Sequence, residues 1–108
     1  MATLSVQTIP LAGVKPSYTA AAAAGDEFAN NGRTFLHVKN SSVSAITVTL
    51  TTPASIDGVA ITDPTISVPG GEERMIGPFP QSIFNNANGR VAVGYSAVTD
   101  VTVAAFSI

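Results

Sequence analysis

Hydrophobic and polar residues alternate most strictly in AITVTLTT, residues 45–52, where Ile46, Val48 and Leu50 face one way and Thr47, Thr49 and Thr51 the other. A period of two suits a strand with one buried face, whereas a helix would scatter both sets around its circumference. RTFLHVKN, residues 33–40, repeats the pattern, with Thr34, Leu36 and Val38 set against Phe35, His37 and Lys39. RVAVGYS and VTVAAFSI, residues 90–96 and 101–108, are expected to pair as a hairpin joined around Thr99-Asp100. Shorter strands are expected at ERMIGPF after Pro69-Gly70-Gly71, and on either side of the Asp63-Pro64 turn, around Val59 and Ile61 and around Ile66 and Val68.

Other stretches break the alternation. Leu4, Val6 and Ile9 form a β-prone segment ended by Pro10, which predicts an edge strand or an extended arm. Residues 11–32 then run LAGVKPSYTAAAAAGDEFANNG, a long loop with at most one helical turn, because five alanines cannot nucleate a helix alone. A loop of that length commonly contacts a neighbour. Asn31-Gly32 marks a turn, and QSIFNNANG has room for one helical turn.

These elements predict an all-β chain: a single β-sandwich of about seven or eight short antiparallel strands, jelly-roll or immunoglobulin-like, with a long N-terminal loop. Residues 1–32 form the arm and loop of the one domain, 1–108, and residues 33–108 its sandwich core.

Composition narrows the setting. Charged residues make up 11% of the chain, against about 25% in typical soluble domains. A surface so sparsely charged fits either a Ser- and Thr-rich module of secreted type or a subunit that hides much of itself in an assembly. Five scattered basic residues and a net charge of −2 supply no phosphate-binding patch, so no nucleic-acid partner is expected. The start, MATLSVQTIP, lacks the features of a signal peptide, and no run approaches the ~20 apolar residues of a membrane span. The expectation is a protein made in the cytoplasm that begins directly with structure and has no membrane partner. With no cysteine, neither disulfides nor thiolate metal sites are available.

The residues that could carry chemistry are sparse. His37 is the one histidine, and a catalytic or metal role would leave carboxylates alone to complete its site, so structural placement is expected. Asp26-Glu27 or Glu72-Glu73 could supply half of a calcium site, but no loop has the Asp-x-Asp-x-Asp-Gly spacing, and solvated turn positions are expected for all the carboxylates. No serine sits in Gly-x-Ser-x-Gly, and Gly70-Gly71 does not continue as a phosphate loop. Asn40-Ser41-Ser42 matches the glycosylation triplet in a turn where asparagine is expected anyway. The residues point to no catalytic site, metal or cofactor.

ERMIGPFPQSIFNN, residues 73–86, is apolar outside any clean strand. Phe79 and Phe84 either close one end of the sandwich, with Pro78 and Pro80 ending the strand, or protrude toward another chain. Core closure is the favoured reading.

FANNGRTFLHVKN, residues 28–40, together with ERMIGPFPQSIFNNANGRVAVGYS, residues 73–96, resembles small structural proteins that tailed bacteriophages encode near their major capsid gene. An Asn-Gly turn leads into a Thr-x-Leu-x-Val-x-Asn strand, a later strand reaches Gly-Pro-Phe-Pro, and a Phe-Asn element precedes Gly-Arg-Val. The Gly-Pro-Phe-Pro segment is the most specific part. The resemblance implies a decoration or cement protein of the virion, made in the bacterial host cytoplasm. It would bind the major capsid protein on the outside of the head, commonly as a homotrimer. Leu4, Val6, Ile9, Val14, Tyr18 and Phe28 are then the expected interface residues, and Pro78, Phe79, Pro80 and Phe84 a scaffold corner. Two other classes stay open: a receptor- or carbohydrate-binding module of a head or tail fibre, and a head-tail connector or tail subunit. The first is poorly served by a chain with no tryptophan whose tyrosines are Tyr18 and Tyr95.

Overall fold

A computed structural model describes residues 2–108 and, Ile56 apart, their side chains. The elements in chain order are β1 (Ala2–Leu4), β2 (Val6–Thr8), β3 (Thr19–Ala20), β4 (Asp26–Ala29), β5 (Thr34–Asn40), β6 (Ile46–Leu50), β7 (Ser55–Ile56), β8 (Val59–Ala60), β9 (Thr65–Val68), β10 (Glu73–Ile76), α1 (Gln81–Phe84), β11 (Arg90–Tyr95) and β12 (Val101–Ser107). One five-stranded sheet has the order β1-β4-β11-β6-β9. The second runs β10-β5-β12-β2, with β3 also paired to β12, and β7 and β8 form a separate hairpin. The protein is thus nearly all-β, with two mixed sheets in an arrangement compatible with a β-sandwich.

A single core lies between the sheets. Phe28, Val48, Val68 and Val91 from the first sheet meet Leu36, Val38 and Val103 from the second, all without solvent exposure. Each such side chain contributes roughly 1.5–3 kcal/mol of burial free energy. In β6 the alternation is clean: Ile46, Val48 and Leu50 are buried while Thr47 is exposed.

Several expectations are corrected. Among the described residues twelve strands replace seven or eight, because the N-terminal third supplies four short ones without alternation where one was expected, and Ser55–Ile56 adds another. The strands are not all antiparallel: β1 runs parallel to β4 and β2 parallel to β12. Parallel partners need long crossovers, and here the chain passes through the other sheet between them. The division at residue 32 also fails, because β4 sits between β1 and β11 and carries Phe28 into the core. Ala23 and Ala24 form a turn, not a helical one, closed by Gly25 N–H donating to the Ala22 carbonyl.

The last two strands are not a hairpin. Both edges of β11 are taken, by β4 and β6, while β12 lies between β5 and the in-line pair β2 and β3. Residues 96–100 therefore carry the chain across the core from one sheet to the other, with Asp100 at φ 57. A further hairpin joins β7 to β8 through Asp57 and Gly58, at φ 52 and 79. Asp-Gly is the pair that a two-residue turn with both φ positive favours, and this was the available sequence signal.

Candidate interaction face

The outward row of the second sheet is unusual in composition. Register sets Phe106 opposite Phe35, Met75 opposite His37, and Glu73 opposite Lys39, all on the face away from the core. Such a face normally meets water and carries polar groups. Here residues 9–18 are laid across it. The Gln7 side-chain amide holds that segment like an extra strand, its Nε2 donating to the Ser17 carbonyl at 2.8 Å and its Oε1 accepting from the Ser17 N–H at 2.9 Å.

Tyr18 is the clamp. Its ring meets His37 and Phe106 edge-on at 5.4 and 6.2 Å, Phe35 stacks on Phe106 at 5.6 Å, and Lys39 Nζ lies 4.1 Å from the Tyr18 ring centre. Phe106 and His37 are consequently only 5% and 7% exposed despite pointing away from the core. His37 Nε2 is 3.1 Å from Glu73 Oε1, and Nδ1 is 2.7 Å from the Tyr18 hydroxyl. A carboxylate only accepts, so in a neutral ring Nε2–H donates to Glu73 and Nδ1 accepts from Tyr18. The three groups tie the overlying segment to the edge strand β10.

Two shallow grooves flank this cluster and share Phe35 and Met75. One, of about 380 Å³, runs between Ile9, Val14 and Pro16 and the aromatic row. The other, of about 240 Å³, lies toward Ile76, Pro78 and Ile108. Leu11 is fully exposed, Met75 is 65% exposed, and Ile108, Ile9 and Val14 are also exposed. Ile9, Val14, Met75 and Ile108 thereby gather exposed apolar surface at these grooves in a charge-poor molecule. Contiguous exposed apolar surface of this kind marks interaction sites.

The expected interface residues separate. Ile9 and Val14 are exposed at the larger groove, and Tyr18 is half-buried beneath it. Val6 packs against the core. Leu4 and Phe28 are corrected: both belong to the core, Phe28 without exposure and Leu4 nearly so, and neither lies on this face. Phe35, Met75, Phe106 and Ile108, which line the two grooves, were missed. The signal for Phe106 was an aromatic in the register opposite to Val101, Val103 and Ala105.

At the corner, Phe79 is buried against Phe28 at 5.6 Å and Phe84 at 5.4 Å, while Pro78 and Pro80 are exposed. Buried Asn30 holds this corner, its Nδ2 donating to the Phe79 carbonyl at 2.9 Å and to Asn85 Oδ1 at 2.7 Å.

Asp26 corrects the expectation of solvated carboxylates. It is 1% exposed, with Oδ2 accepting from the Tyr95 hydroxyl at 2.7 Å and from the Ala22 N–H at 3.3 Å, and Oδ1 is unpartnered among the described residues. Burial, then the bond to Asp26, pushes the Tyr95 phenol far above its usual range. Glu27 pairs with Arg90 at 2.8 Å. Asn40 is buried and its Nδ2 donates to the Ser44 and Val68 carbonyls, so in the folded chain the triplet's amide is already committed. Among the described residues no three metal-ligating side chains cluster.

Fold and face together define a class: a nearly all-β protein of two mixed five-stranded sheets whose distinguishing surface is an apolar, aromatic sheet face. No protein-family model, curated protein or solved structure matches the chain.

Proposed function

We propose that the protein is a non-enzymatic structural subunit of a virion, a bacteriophage head decoration protein that adheres to the outside of the capsid shell and to its own copies. The observation that carries this reading is the apolar face built on Phe35 and Met75, which joins exposed Ile9, Val14 and Ile108 in a molecule with few charges. The likeness of residues 28–40 and 73–96 to small phage head proteins supports the same reading. Jelly-roll or immunoglobulin-like connectivity belongs to it, supported by the crossing from β11 to β12 between sheets. Burial at roughly 25 cal/mol per Å² makes even a modest contact cumulative when repeated over a lattice.

The test is co-sedimentation of the purified protein with emptied heads of the phage that encodes it. Wild type should pellet with the shells, and Met75→Glu should stay in the supernatant while keeping its melting temperature. Equal binding by Met75→Glu would remove this face from the reading. Failure of wild type to bind, with glycan-array binding above background, would move the function to sugar recognition. Removing residues 1–10 is not a clean probe, because it takes one strand from each sheet.

A further inference from the structure

The charges on this face are not random. Among the described residues Arg74 pairs with Glu72 and Arg90 with Glu27, which leaves Lys15, Arg33 and Lys39 outside any ion pair. Two of them border the apolar face directly, Arg33 lining the smaller groove and Lys39 covering Tyr18, and Lys15 is next in the chain to Val14 and Pro16 of the larger groove. Among the described side chains the carboxylate on the face is Glu73, and it is engaged by His37. The face is therefore apolar with a cationic rim.

A loop of opposite character lies elsewhere in the same chain. Residues 51–64, between β6 and the edge strand β9, contain Asp57 and Asp63 and no basic residue. Their tip is the β7–β8 hairpin, where Val59 is 68% exposed. Their base is clamped: the Thr52 hydroxyl lies 2.6 Å from both the Ile61 carbonyl and Asp63 Oδ1, Thr52 N–H donates to Asp63 at 2.9 Å, and Leu50 N–H donates to the Pro64 carbonyl at 3.1 Å. The hairpin is thus held in shape before it meets anything, which lowers the ordering cost of docking. A two-stranded hairpin is marginal alone, and this one exposes an aliphatic side chain beside an aspartate.

We infer that the β7–β8 hairpin of one copy docks on the Phe35–Met75 face of a second copy, with Val59 entering the groove and Asp57 facing the Lys15, Arg33 and Lys39 rim. This deepens the adhesive reading and rests on it, since it assigns the face an occupant. The two surfaces are different, so the contact is head-to-tail, and repetition produces a closed ring or an open filament. A contact confined to one hairpin tip belongs to the weak class of interfaces, below about 1,200 Å², and forms in concentrated samples or when copies are held side by side on a lattice.

The absence of native cysteine makes the test direct. Val59→Cys and Met75→Cys are prepared separately, then mixed under mild oxidation at low salt, with Val43→Cys, fully exposed in the turn after β5, as control. The expected result is a disulfide-linked dimer of V59C with M75C well above either variant alone or the V43C mixtures, and a ladder from the double variant. Sedimentation velocity of Asp57→Lys should show self-association about two- to five-fold weaker at low salt, in line with one exposed ion pair. Cross-linking no stronger than in the V43C control overturns the inference. If shells still bind wild type in that case, the adhesive reading survives; if they do not, both fall.

Discussion

Asn30 and Asn85, fifty-five residues apart, exchange two hydrogen bonds: Asn30 Nδ2 donates to Asn85 Oδ1 at 2.7 Å, and Asn85 Nδ2 donates to the Asn30 carbonyl at 3.2 Å. Gln81 Nε2 donates to the same carbonyl at 3.1 Å, and Asn30 Oδ1 accepts from Gly32 N–H at 3.0 Å. One buried side chain thereby joins the β4–β5 turn to the α1 corner. Asn30→Ala should destabilise the protein by about 1–3 kcal/mol, since it strands the Phe79 carbonyl and the Gly32 amide. Asn85→Ala should cost less, because Asn30 keeps its bond to Phe79. Urea denaturation of the two variants checks the order.

Tyr95→Phe removes the hydroxyl that serves Asp26 and leaves the buried carboxyl with only the Ala22 N–H. A loss of about 1–3 kcal/mol is expected. The two groups share one hydrogen bond, so Tyr95→Phe combined with Asp26→Asn should fall short of the summed single losses. A double-mutant cycle by thermal or chemical unfolding measures the coupling, and strict additivity would argue against it.

Asp63 gives the pH dependence. The Thr52 hydroxyl, then its backbone N–H, holds the exposed Asp63 carboxyl below its ordinary value of 3.8. A carboxylate whose folded pKa is lowered stabilises the fold above its unfolded value, and that contribution disappears as pH falls through the folded value. The base of residues 51–64 should therefore loosen only in acid below that range. An NMR titration should show the Thr52 amide moving with Asp63, and Thr52→Val should raise the Asp63 pKa only part of the way to the usual carboxyl range, since the backbone N–H bond remains.

Gly70 follows from packing. A Cβ there would stand 2.7 Å from the backbone carbon and oxygen of Val43, a contact that cannot relax by rotating a side chain. Gly70→Ala should cost about 1–3 kcal/mol, whereas Val43→Ala, at a fully exposed side chain, should be nearly silent. Melting temperatures of the pair decide it.

Legibility of the fold tracked how much of each strand was half-buried. AITVTLTT and RTFLHVKN were readable because one face is apolar and the other is not, and the nearly all-β expectation came largely from them. DEFA was not readable, since its inward row is Asp26 and Phe28, which has no alternating apolar signature. β11 and β12 look like a hairpin because a short polar link joins two apolar runs; only their partners show that they belong to different sheets. On the face, Ile9, Val14 and Tyr18 were named from the sequence. Phe35, Met75 and Phe106 were not, because their contiguity is a product of register between strands far apart in the chain.

Residues 2–8 contribute to both sheets, as β1 beside β4 and then β2 beside β12. On the ribosome this sets an order of events. β1 can find its place once residues 26–29 have emerged, but β2 stays without its neighbour until residues 101–107 have been made. The second sheet therefore closes late and through contacts distant in sequence, a topology associated with slow folding. Until then its unpaired edges are exposed to other nascent chains, and unpaired strand edges make partly folded chains prone to aggregate.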